Sequence, residues 1–112
     1  MESELDLLLG TAINSLVKLE AALFLHSRPG SALAPHDISV HLRRPVSEVT
    51  AALDELSQSQ LIERFPFGTG RHVVYGPTED SHVGALLDLL YERYNGDSES
   101  RSRVVRQTLR AQ

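Results

Sequence analysis

His36 and His41 stand five positions apart, and His26, His72 and His82 are scattered singly along the chain. Two histidines that share a metal on one helix face need a step of about four residues, so these read as surface histidines. The Gly68-Thr69-Gly70 stretch is not followed by the Gly-Lys-Ser/Thr of a phosphate loop. Ser31 and Ser81 lack the setting of an activated serine. The neighbouring carboxylates Asp54-Glu55 and Glu79-Asp80 have nothing beside them to perturb their ionisation. The chain has no Cys, which excludes disulfides, thiolate metal ligands and a thiol nucleophile. No enzyme activity, metal or cofactor is expected.

What remains is binding chemistry. Ser47, Thr50 and Ala51 lie in the segment SEVTAALDELSQSQ, and Arg43, Arg44, Arg64 and Arg71 stand at its edges and just beyond. Hydroxyls, a methyl group and flanking guanidinium groups suit a polyanion. Yet from Ser47 to Gln60 the segment carries Glu48, Asp54 and Glu55 and no cation of its own. The formal net charge of −4 argues in the same direction, because generic affinity for nucleic acid comes mainly from Lys and Arg displacing counterions.

The elements that would position these residues follow from periodicity. About 4 to 26 favours helix, with Leu9, Ile13, Leu16 and Leu23 as one stripe, but Leu7, Ala21, Ala22 and Leu25 point elsewhere. Either the stretch breaks near Gly10 or Asn14-Ser15, or a second chain covers part of it; the surplus of Leu5, Leu8 and Leu9 favours the second. Arg28-Pro29-Gly30 ends it. A short helix is expected over about 35–43, with Asp37 in its first turn, and another over about 46–60 whose core face is Val49, Ala52, Leu53 and Leu56. Leu61 to Tyr75 changes to strand formers around a glycine-rich loop, a β-hairpin. Thr78 is the expected cap of a helix over about 79–94, stopped by Asn95-Gly96.

This order resembles a winged helix-turn-helix transcription regulator of the small MarR/ArsR-like kind. The residues that carry the resemblance are LEAALFLHSRPG, PHDISVHLRRPVSEVTAALDELSQSQLIER and the hairpin FPFGTGRHVVYG. Arg43 and Arg44 stand where Gly and an apolar residue are common in that pattern, and Gln60 replaces its usual Gly. The implied fold is mainly α with a small β-hairpin wing and extra N- and C-terminal helices. Residues 1–96 would form one domain, with the helix-turn-helix at about 35–60, the wing at about 61–76 and a dimerisation helix at about 79–94. Residues 97–112, with Arg101, Arg103, Arg106 and Arg110, are either a basic tail or a short helix.

The resemblance implies double-stranded DNA as partner. Ser47, Thr50 and Ala51 would face the major groove, with Arg43, Arg44, Arg71 and His72 on backbone or minor groove. Glu48 either accepts from a cytosine amine or offsets the positive end of its own helix. Asp54 would repel a facing phosphate by ~1 kcal/mol or more, so it is expected to turn toward solvent or a partner. The apolar ends of the chain, Leu5, Leu8, Leu9, Leu86, Leu89, Leu90 and Tyr94, suggest a two-fold homodimer. A small-molecule effector near such an interface would fit, though no residue names its chemistry. Neither a membrane span nor an export signal is visible, and a cytoplasmic protein is expected. The competing reading is a winged-helix protein-interaction module that binds no DNA.

Overall fold

A computed structural model of the chain describes residues 2–68 and 72–110. The order is α1 (Glu2–Leu8), α2 (Leu16–His26), α3 (Pro35–Leu42), α4 (Val46–Gln58), β1 (Ile62–Phe67), β2 (His72–Pro77), α5 (Ser81–Tyr94) and α6 (Ser98–Leu109). Each helix contributes to one hydrophobic cluster, to which β1 and β2 add Ile62 and Tyr75.

The N-terminal stretch is two helices. Gly10 adopts φ +91°, its N–H donates to the Ile13 carbonyl at 2.8 Å, and Ser15 caps α2 by accepting from the Lys18 N–H at 3.3 Å. A second chain is not needed to cover α2. It is apolar on nearly all sides because α3, α4, α5, α6 and β2 all pack around it. Burial of Leu19, Ala21, Ala22 and Leu25 is complete within the single chain.

Helix α3 starts with Pro35 at its first turn and ends in a left-handed residue, Arg43 (φ 57°, ψ 46°). The Arg43 N–H donates to the Val40 carbonyl and the Arg44 N–H to that of Ser39, the paired bonds of a Schellman motif. Helix α4 buries Val49, Ala52, Leu53 and Leu56, the stripe its periodicity dictates. It closes in the same way, with Gln60 at φ 63° and Leu61 N–H donating to the Leu56 carbonyl.

Strands β1 and β2 pair antiparallel in the register Ile62↔Pro77, Arg64↔Tyr75 and Phe67↔His72. Leu33 adds a third short rung, exchanging two 2.8 Å backbone hydrogen bonds with Tyr75. At Gly76 a Cβ would lie 2.4 Å from the Ser31 carbonyl oxygen, so only glycine lets the α2–α3 loop lie on β2. The cap of α5 is Asp80, not Thr78: Asp80 Oδ1 accepts from the Val83 N–H at 2.9 Å, while Thr78 Oγ1 accepts from Asp80 N–H. Residues 98–109 are helical, capped by Asp97. Helix α6 is fastened to the chain start by Gln107 Nε2 donating to Asp6 Oδ1 and Arg110 Nη2 donating to the Asp6 carbonyl.

Candidate nucleic-acid interface

The three carboxylates of α4 each have a partner within the chain. Arg44 Nη1 donates to Glu48 Oε1 at 3.2 Å, one turn apart. Tyr75 Oη donates to Asp54 Oδ1 at 2.5 Å. Lys18 Nζ, on α2, lies 3.3 Å from Glu55 Oε1 and also donates to Asn14 Oδ1. Glu48 and Glu55 are thus each met by a cation while 44% and 60% exposed, and Asp54 by a neutral hydroxyl. The Glu48 partner is local, but those of Asp54 and Glu55 sit on β2 and α2, which is why no local reading of the segment discloses them.

With the acids engaged, Ser47 and Ala51 stand exposed on α4 and Thr50 is half-buried. Arg43 is exposed at the α3–α4 turn and makes no ion pair among the described residues. Arg44 behaves differently. Its Nε and Nη2 grip Glu20 of α2 in a two-pronged bond at 3.0 and 2.9 Å, and that bond, opposed by burial, raises its pKa further. Arg44 is thus turned onto the protein, away from the phosphate contact expected of it.

Between α4 and the hairpin runs a groove of about 670 Å³, bordered by His36, Thr50, Asp54, Arg64, Phe67 and His72. His72 is exposed at the start of β2; Arg71 lies outside the described residues. Arg64 is a cation of this groove that was not among the expected DNA-facing residues. The signal for it was the strand period: with Ile62 inward, Arg64 faces the same side, opposite Tyr75 in register. Phe67, 63% exposed, is the other unexpected member.

The residues expected at a dimer interface are divided. Leu5, Leu9 and Leu90 are fully buried within the chain and Leu86 nearly so; Leu8, Leu89 and Tyr94 are partly buried against the core. Leu7, on α1, is 68% exposed. The surplus of apolar side chains is thus mostly absorbed by α1, α5 and α6 packing on one another. Among the described residues no group of His, Asp and Glu is arranged to hold a metal, and no helix is long and apolar enough to cross a membrane. His26 pairs with Asp88, His82 with Glu4, and His41 stacks on Phe24 with centroids 4.1 Å apart.

The fold recurs in known structures. Reduced HlyU from Vibrio cholerae is similar at TM-score 0.63 and 20% identity, over 85% of this chain and 94% of that one. The fold is a winged helix-turn-helix. A MepR–DNA complex from S. aureus is similar at TM-score 0.62 and 17% identity, over 100% of this chain and 92% of that one. A MarR variant from E. coli in complex with operator DNA gives 0.59 and 16%, over 92% and 73%. No protein-family model and no curated protein matches the sequence. In the terms of this fold, α3 and α4 are the helix-turn-helix and β1–β2 the wing.

Proposed function

We propose that the chain is a DNA-binding transcription regulator whose α4 enters the major groove while the wing lies along the adjacent backbone or minor groove. The observation that carries the reading is the pairing of Glu48, Asp54 and Glu55 with Arg44, Tyr75 and Lys18. It leaves Ser47, Thr50 and Ala51 as the working surface of the helix, able to hydrogen-bond base edges or touch a thymine methyl. Arg43, beside the N-terminus of α4, is the phosphate anchor in this reading, joined by Arg64, His72 and Arg71. Two of the similar structures hold DNA, which supports the same partner. The chain would bind rather than catalyse, and would do so in the cytoplasm.

A homodimer belongs to the proposal because it doubles each of these few cationic anchors. Its apolar contribution would come from Leu7 with the partly exposed Leu8, Leu89 and Tyr94. The second reading, a protein-interaction module, draws on the capture of Arg44 by Glu20, which removes one cation from the interface. Titration of mixed-sequence duplex DNA over a salt series separates the two. A regulator binds at low salt with an affinity that falls steeply as salt rises; a module that ignores DNA gives no binding at any salt.

A further inference from the structure

Thr50 and Asp54 are four residues apart on α4 and so share a helix face, the one that borders the groove with Arg64, Phe67 and His72. A carboxylate there lies one turn beyond a hydroxyl meant for DNA. It is met by the Tyr75 hydroxyl, which donates to Asp54 Oδ1 at 2.5 Å from a ring only 2% exposed. The ring's own position is fixed by the two backbone bonds of Tyr75 to Leu33, on the side away from its register partner Arg64. Among the described residues neither Asp54 nor Arg64 takes part in an ion pair, so the carboxylate is satisfied by a neutral donor, while the exposed Arg64 guanidinium, opposite Tyr75 in register, touches the same hydroxyl and is held by no carboxylate.

We propose that Tyr75 is a positioning residue for DNA binding: it draws the Asp54 carboxylate back from the groove and leaves Arg64 to meet the phosphate. This rests on the DNA-binding reading above. A cation could have neutralised Asp54 equally well, but it would then have been withdrawn from the duplex. A phenol performs the task without that withdrawal, because it keeps its proton: burial first, and the hydrogen bond to Asp54 second, hold the Tyr75 hydroxyl above the usual tyrosine range, against the opposing pull of Arg64. Tyr75 thereby links the wing strand β2 to α4 through one hydrogen bond that is electrostatic in purpose.

The test uses the full chain, a mixed-sequence duplex and three variants, each first checked for folding by circular dichroism: Tyr75→Phe, Asp54→Asn and the two combined. Tyr75→Phe keeps the ring but frees the carboxylate, and should weaken binding about five- to tenfold at low salt. Asp54→Asn keeps an acceptor for the hydroxyl and should bind at least as tightly as the parent chain. The double variant should recover to within about twofold of the parent, since no charge remains to be held back. Packing or wing angle alone would leave the double variant as weak as Tyr75→Phe, and that result overturns the proposal, as does a loss of affinity in Asp54→Asn. If the parent chain shows no binding at any salt, the DNA-binding reading falls and takes this inference with it; binding by the parent with failed recovery in the double variant sinks the inference alone.

Discussion

Arg44 holds Glu20 in a fork, Nε to Oε1 at 3.0 Å and Nη2 to Oε2 at 2.9 Å, and so fastens the helix-turn-helix turn to α2. Arg43, next to it in sequence, is exposed and has no ion pair among the described residues. Two adjacent residues of one type therefore have opposite roles, one holding the fold and one facing outward.

Exchanging them separately exposes the difference. Arg44→Ala should lower stability by about 1–2 kcal/mol, between an exposed pair and a charge-assisted bond in a buried setting, since both side chains are about one-quarter to one-third exposed. Glu20→Ala should cost a similar amount, and the double variant little more than either alone. Arg43→Ala should leave the unfolding midpoint nearly unchanged. Urea unfolding of the parent chain and these variants checks this; equal losses for Arg43→Ala and Arg44→Ala would show that the fork contributes nothing particular.

The two Schellman positions are occupied by residues that the left-handed region disfavours, Arg43 at φ 57° and Gln60 at φ 63°. An L-residue there costs roughly 1–2 kcal/mol that glycine avoids, part of which is offset by glycine's greater freedom in the unfolded chain. Gln60→Gly should raise stability by up to about 1 kcal/mol and leave DNA affinity unchanged. Arg43→Gly should also stabilise while weakening binding to duplex. Parallel thermal melts and duplex titrations would reveal it, and an Arg43→Gly variant with unaltered affinity would remove the phosphate role assigned to Arg43.

Gly10 joins α1 to α2 at φ +91°, with the Arg110 side chain and the Gln107 carbonyl where a Cβ would go, at 2.6 and 2.9 Å. Gly30 also has a positive φ, +78°, but open space around it. Gly10→Ala should therefore destabilise by clearly more than the roughly 1–2 kcal/mol of left-handed backbone strain, and Gly30→Ala by about that strain alone. Proteolysis at α6 should accelerate in Gly10→Ala, because α6 rests on that turn. Equal melting temperatures for the two variants would mean that α6 does not depend on it.

How legible was this in the sequence? The helix-turn-helix and the hairpin were, because their signals are local: the Val49, Ala52, Leu53 and Leu56 stripe, Pro35 at a helix start, and the glycine-rich loop between strand formers. The helical terminal layer was misread for a physical reason. Periodicity shows that α2 is apolar all round but not who covers it, and the cover is α3, α4, α5, α6 and β2 of the same chain. Asp80 outcompeted Thr78 as the cap, since both can accept a backbone hydrogen and their spacing does not rank them. The exposed face of α4 was legible in the sequence, the partners of its acids only in part. Ser47 and Ala51 follow from the helical wheel and stand exposed, and the Arg44–Glu48 pair is local, four residues apart, whereas the partners of Asp54 and Glu55 are Tyr75 and Lys18, residues that only folding brings near.

In the proposed function α4 meets DNA because its acids are engaged within the chain while Arg43 stands exposed. The most direct test of this is the salt dependence of duplex binding by the parent chain and by Arg43→Ala. Both should bind at low salt, and the slope of log affinity against log salt should be shallower in Arg43→Ala by about 0.9 per protomer, the share of a single neutralised phosphate. No binding by the parent at the lowest salt, or identical slopes for the two proteins, would contradict it.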